Sequence, residues 1–214
     1  MENINREYID VYINSLIKDE DEKLEIFRNE CVDNQLPIIH KEVGQFIKLT
    51  IKQLNAKRII EVGTNAGYSS IFMSQVMNNE GRVVTLERSE KFFQEALQNI
   101  KRFNLEKNIE VHFGDAVEIL DKIDGSFDMA FIDAAKSHYT TFFDKCCKMM
   151  KSGGIIISDN VLYKGMIATD DLVIRRKKTL VRHMREYLKY ISNDERYITS
   201  VLPLGDGLAV TLIK

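Results

Sequence analysis

Five short apolar runs in this chain each end at or just before an oxygen-bearing side chain: Glu61, Glu87, Asp115, Asp133, and Asp159 with Asn160. One acidic residue after a strand is ordinary and usually caps the next helix. A succession of them along one edge suits ligands that carry positive charge or several hydroxyls. Asp133 and the Asp159–Asn160 pair end two runs expected to be neighbouring strands, which brings three oxygen ligands together. Such a set favours Mg²⁺, with Mn²⁺ or Ca²⁺ as alternatives, over zinc or copper. The structural alternative is an Asx turn at Asp159 and Asn160.

The turn after the first run reads Glu61-Val-Gly63-Thr-Asn-Ala-Gly67-Tyr68-Ser69-Ser70. A dinucleotide site would offer GxGxxG with its amides aimed at a pyrophosphate. Here Asn65 and Ala66 interrupt that pattern, and a glutamate precedes the first glycine. S-adenosylmethionine (SAM) has no phosphate but carries an ammonium and a sulfonium, so acidic surroundings suit it better. Glu87 ends the second run, where a carboxylate can accept both hydroxyls of a ribose. Asp115, in Gly114-Asp115-Ala116, is expected at the adenine amino group, with a plain helix N-cap as the alternative.

These residues need a scaffold that aligns strand ends. The runs Arg58–Val62, Arg82–Glu87, Ile109–Phe113, Phe127–Asp133 and Gly154–Ser158 alternate with helix-like stretches beginning near Ser69, Ser89, Ala116 and Ser137. Short, almost wholly apolar strands between helices mark a parallel sheet covered on both faces. A helix over Ile174–Ile191, a strand over Tyr197–Leu202, a Gly205-Asp206-Gly207 turn and a strand over Leu208–Ile213 follow. The expectation is an α/β fold with a mostly parallel seven-stranded sheet, an antiparallel C-terminal hairpin and helices on both faces. At 214 residues this fits one domain, 1–56 forming N-terminal helices and 57–214 the core. The N-terminal helices carry apolar sets such as Tyr8, Ile9 and Tyr12, and Val43, Phe46, Ile47, Leu49 and Ile51. The start lacks the pattern of a signal peptide, and no apolar stretch approaches a membrane span, so a cytoplasmic protein with no membrane partner is expected. Cys31, Cys146 and Cys147 fit neither a disulfide framework nor a zinc site and are expected as reduced thiols.

Taken together, these residues resemble the cation-dependent O-methyltransferases related to catechol and caffeoyl-CoA O-methyltransferases. The resemblance runs from roughly Pro37 to the C-terminus. It rests on Glu61–Ser69, Glu87, Gly114-Asp115-Ala116, Phe131-Ile-Asp133-Ala-Ala-Lys136, Ser158-Asp159-Asn160-Val-Leu and the terminal Leu204-Gly-Asp-Gly-Leu208. It implies a Rossmann-like class I methyltransferase fold. It places SAM among Ile39, His40, Glu61, Gly63, Gly67, Tyr68, Ser69, Ser70, Glu87, Asp115, Ala116 and Asp133. It puts the metal on Asp133, Asp159 and Asn160, and makes Lys136, with Asp133, catalytic. Within the family the chain looks most like bacterial tRNA 5-hydroxyuridine methyltransferases, mainly through Val161–Met166. That implies methylation of 5-hydroxyuridine at the tRNA wobble position to 5-methoxyuridine, and a homodimer. The alternatives are a small-molecule catechol or caffeoyl-CoA-type O-methyltransferase, and a non-catalytic SAM-binding RNA module.

A neutral hydroxyl is a poor nucleophile near neutral pH. A divalent ion acting as a Lewis acid overcomes this, and Lys136 is placed to take the proton. The acceptor should present two neighbouring oxygens, as catechols do, and as 5-hydroxyuridine does through its 5-hydroxyl and C4 carbonyl. Arg175-Arg176-Lys177-Lys178, followed by Arg182 and Arg185, is a candidate RNA-contacting stripe, with Arg175, Lys178, Arg182 and Arg185 near one helix face. Its alternative is a solvated helix face.

Overall fold

The computed structural model describes residues 4–18 and 21–214. Seven strands form one sheet: β1 (Arg58–Val62), β2 (Arg82–Glu87), β3 (Ile109–Phe113), β4 (Phe127–Ile132), β5 (Met150–Ser158), β6 (Tyr197–Leu202) and β7 (Leu208–Ile213). Their order is β3-β2-β1-β4-β5-β7-β6. The first five pair in parallel, and β7 runs antiparallel between β5 and β6. The closing hairpin therefore lies at one edge, as its turn suggested. β4 stops at Ile132 and leaves Asp133 as the first residue beyond it. β5 starts at Met150 rather than Gly154, because Met150 still pairs with Phe127 across a register shift.

Successive strand residues point to opposite faces, and here both faces are covered. Ile59, Val83, Phe131 and Ile157 share one core with Leu24, Val43, Ile47, Ile71 and Ile100. Ile60, Val84, Ala130 and Ile156 share the other with Phe143, Met184 and Tyr187. This double burial is why the runs are apolar throughout instead of alternating. Each isoleucine so enclosed contributes about 1.5–3 kcal/mol.

On the first face lie α2 (Glu22–Asp33), α3 (Lys41–Leu54), α4 (Tyr68–Val76) and α5 (Glu90–Arg102). The second face carries α6 (Ala116–Ile119), α7 (Tyr139–Cys147) and α8 (Lys178–Asn193). α1 (Glu7–Ser15) buries no side chain, and Tyr8, Val11, Tyr12 and Leu16 are exposed, so it does not cover the sheet. Leu49 of α3 also faces outward.

The helix expected over 174–191 is shorter at its start. Arg175–Lys177 form a 3-10 turn, α8 begins at Lys178, and Ile174 is exposed. Four consecutive cations would meet the positive end of a helix dipole there, which disfavours an α-helical first turn. The three cysteines are free thiols. No helix among the described residues is long and apolar enough to cross a membrane.

Candidate active site

Just beyond the carboxyl ends of the parallel strands, the first amide of each turn reaches across to the neighbouring strand. Gly63 N donates to Leu86 O (3.1 Å), Gly114 N to Glu87 O (2.9 Å), Asp133 N to Val62 O (3.0 Å) and Asp159 N to Ile132 O (2.9 Å). The turns are thereby held level along one edge. A cavity of about 490 Å³ opens there, lined by residues 62–66, 86–89, 114–117 and 133–135 among others. It lies where the chain, having filled the sheet on one side of β1, crosses to the other, the usual ligand position in such sheets.

Gly63 carries the tightest constraint. Its φ is +105°, and a Cβ would stand 2.1 Å from Asp133 O. Only glycine lets the β1 turn close against the end of β4. Ser69 and Tyr68 line the cavity, whereas Glu61 does not. Glu61 is buried one layer back, accepting hydrogen bonds from the Ser69 and Ser70 hydroxyls and from Thr85 Oγ1 (2.7 Å). Burial pushes its carboxyl up to about 7, and the three hydroxyl donors offset part of that rise. Glu61 therefore reaches the cavity only through Ser69.

Gly67, Ser70 and His40, expected to touch the cofactor, also lie outside the cavity lining. Gly67 is the N-cap residue of α4, where a Cβ would stand 3.4 Å from Ala96 Cα, and His40 is the N-cap residue of α3 with its ring near Glu42. Ile39 does line the cavity, in a strap with Pro37 and Ile38. The strap is tied at two carbonyls: Asn65 Nδ2 donates to Pro37 O (3.3 Å) and Arg28 Nη1 to Ile39 O (3.1 Å).

Glu87 accepts the amides of Asn65 (Oε2, 2.8 Å) and Ser89 (Oε1, 2.8 Å), which fixes its carboxylate at the cavity wall. Each oxygen keeps a lone pair for a ligand hydroxyl. Asp115 caps α6 by accepting from Val117 N (2.7 Å), and it lines the cavity together with Ala116. It is both the helix cap and a wall residue. Phe92, His138 and Phe142 also line the cavity. Nothing in the sequence separates Phe92 and Phe142 from core residues, because their spacing is merely helical; His138 is marked only by lying two residues beyond Lys136, with a surface role as the alternative.

Ile132 pairs with Ser158, so Asp133 and Asp159 leave adjacent strands at the same level. Tyr139 Oη donates to Asp159 O (2.8 Å) and steadies the second strand end from beneath. Burial raises the carboxyls of both Asp133 and Asp159 above their ordinary range. The charge of Asp133 adds to the rise at Asp159, and the nearby Lys136 opposes it at both. Lys136 Nζ lies 3.4 Å from Asn160 Oδ1. Among the described residues no group of three or more His, Cys, Asp or Glu side chains is placed to hold a metal. The oxygen set here is instead two carboxylates and the Asn160 carboxamide. Asp133 and Asn160 line the cavity, whereas Asp159 and Lys136 stand just behind its wall. A half-buried and a buried carboxylate that repel each other, with no hydrogen bond donor on the Asp133 side chain among the described residues, fit a hard divalent cation.

The basic segment is only partly available. Arg185 is not on an open stripe: it donates to Ile167 O (2.9 Å), Met166 O (3.2 Å) and Asp170 Oδ1 (2.7 Å). Arg182 is 3.8 Å from Glu186. Arg175, Arg176 and Lys178 are exposed. Lys177 Nζ stands 5.4 Å from the centre of the Tyr163 ring, with Lys136 Nζ 5.9 Å from that same ring. The basic turn therefore adjoins the Lys136 end of the site.

Comparison with known proteins bears on what occupies this edge. A profile of the O-methyltransferase family matches residues 14–214. A catechol O-methyltransferase of Niastella koreensis is 30% identical over 219 residues, 97% of each chain. A candidate caffeoyl-CoA O-methyltransferase structure from Staphylococcus aureus superposes with a TM-score of 0.91 at 30% identity, covering 97% of this chain and 100% of the other. An O-methyltransferase from Bacillus cereus in complex with SAH gives a TM-score of 0.84 at 30% identity, covering 97% of each chain.

Proposed function

The chain belongs to the O-methyltransferase family, and from that premise we propose that it transfers the methyl group of SAM to one of two neighbouring oxygens of a small catechol-like acceptor, with Mg²⁺ on Asp133, Asp159 and Asn160. The observation that carries this reading is that Asp133 and the buried Asp159 leave adjacent strands at one level beside Lys136 and Asn160, with Asp133 and Asn160 lining a cavity whose wall also offers Glu87 and Asp115. SAH, bound in the Bacillus cereus relative, is what SAM becomes after giving up its methyl group.

Glu87 holds the ribose hydroxyls, Asp115 meets the adenine amino group, and Ser69, fixed by Glu61, binds the methionine end. Phe92, Phe142 and Ile39 exclude water from the apolar parts of the ligand. When bound, SAM would supply an electrophilic methyl on sulfur, and a cation on Asp133, Asp159 and Asn160 would supply Lewis acidity toward the acceptor hydroxyl. Lys136 takes the proton from the acceptor hydroxyl. Holding donor and acceptor on one rigid strand edge supplies several kcal/mol of positioning.

A second reading, the same chemistry on 5-hydroxyuridine in tRNA, draws on the exposed Arg175, Arg176 and Lys178 and on Lys177 against Tyr163. The catechol and caffeoyl-CoA names of the relatives favour the small-molecule acceptor. One assay separates them: labelled SAM and Mg²⁺ with catechol, caffeoyl-CoA, and hydroxyuridine-containing tRNA in parallel. Transfer to the tRNA alone overturns the first reading, and transfer to none of them removes both.

A further inference from the structure

The Gly205-Asp206-Gly207 turn joins β6 to β7 on the same edge as the carboxylates, and it is bonded along its length to the segment after Asn160. Val161 N donates to Gly207 O (2.9 Å), Leu162 N to Asp206 O (3.0 Å) and Lys164 N to Asp206 Oδ1 (2.5 Å). The contact leaves no room for a side chain: a Cβ at Gly207 would stand 2.4 Å from Leu162 Cγ. What the turn holds is strained. Tyr163 (φ +46°) and Lys164 (φ +57°) occupy the left-handed region in succession, where residues other than glycine persist only with support from their surroundings. That backbone sets the Tyr163 ring within 5.9 Å of Lys136 Nζ and 5.4 Å of Lys177 Nζ, measured from its centre.

We propose that Asp206 is a positioning residue for methyl transfer: by accepting from the Lys164 amide it pins the left-handed pair, and so fixes where Tyr163 stands beside Lys136 at the acceptor end. The inference rests on the transferase reading. The role needs an acceptor oxygen at position 206, not a charge. Asparagine keeps that oxygen, and glycine at position 164 adopts the required φ without help.

The test compares wild type, Asp206→Ala, Asp206→Asn and the double variant Asp206→Ala/Lys164→Gly as full chains. Amide hydrogen exchange needs no acceptor. Asp206→Ala should speed exchange across residues 161–165 about tenfold or more, leaving residues 63–68 unchanged, and Asp206→Asn should return toward wild type; the double variant, which still lacks the acceptor for the residue-164 amide, is read by its KM. With Mg²⁺, SAM and catechol as the probe acceptor, Asp206→Ala should raise the catechol KM about tenfold. The Kd for SAM should stay within about twofold. The Asn variant and the double variant should recover the KM. Retained protection of residues 161–165 in Asp206→Ala overturns the proposal, as does a KM that Lys164→Gly fails to recover. If Asp206→Ala does not fold, the other two variants decide: wild-type KM in both supports the role, and an elevated KM in either overturns it. A wild type that binds no SAM sinks the transferase reading instead, an outcome read separately from the exchange data.

Discussion

Replacing Glu61 with glutamine should alter how stability and cofactor affinity depend on pH, in opposite directions. Glu61 is fully buried, and burial lifts its carboxyl from 4.5 to about 7 despite the Ser69, Ser70 and Thr85 hydroxyls. A folded-state value above the unfolded one means that the favourable protonated form is fully present below about pH 4.5 and lost as pH rises through about 7. At about 1.4 kcal/mol per pKa unit, the wild type without cofactor should lose about 3 kcal/mol across that window. Glutamine has no proton to lose. It can still serve the three hydroxyls, because each can turn to donate or accept. The stability of Glu61→Gln relative to wild type should therefore climb by about 3 kcal/mol from about pH 5 to about pH 8 and level off above that. SAM acts the other way: its cationic end favours ionised Glu61 through Ser69. Wild-type affinity should strengthen roughly tenfold over the same range, and that of the variant should not. Urea unfolding followed by circular dichroism, and calorimetric titration with SAM, at several pH values measure both. A stability difference that stays flat with pH refutes the argument.

Asp159→Ala should lower kcat roughly a thousandfold, as loss of a Lewis acid predicts, while the Kd for SAM changes by less than about threefold; steady-state kinetics with and without chelator, plus calorimetry, check this. Lys136→Met should cut kcat by about 10²–10⁴ with unchanged SAM binding, measured in single-turnover methyl transfer. Gly63→Ala adds overpacking against Asp133 O to a left-handed φ, and should cost about 2–5 kcal/mol in urea unfolding. Serine at Arg175, Arg176 and Lys178 together should leave catechol turnover unchanged; if tRNA is the acceptor, the log–log salt slope of binding should fall by about one unit per lost phosphate contact.

The architecture was legible because a sheet buried on both faces writes itself as unbroken apolar runs: Ile59 and Ile60, or Val83 and Val84, serve opposite cores and must both be apolar. Parallel pairing then put Glu87, Asp115, Asp133 and Asp159 on one edge, since each follows a strand that runs in the same direction. Other features depended on contacts between distant segments, which local pattern does not encode. Glu61 and Ser69 are eight residues apart, yet only the fold decided that the glutamate lies behind the serine and not in the cavity. Arg185 belonged by helical spacing to a basic stripe, but carbonyls of residues 166 and 167 captured it. The Asp206 turn and the Lys164 amide are separated by 42 residues, and they meet because β7 inserts between β5 and β6. Residue types and their order determined which chemistry this protein can assemble. The tertiary structure decided which of those side chains face the cavity and which hold the others in place, because packing between segments far apart in the chain sets the direction of each side chain.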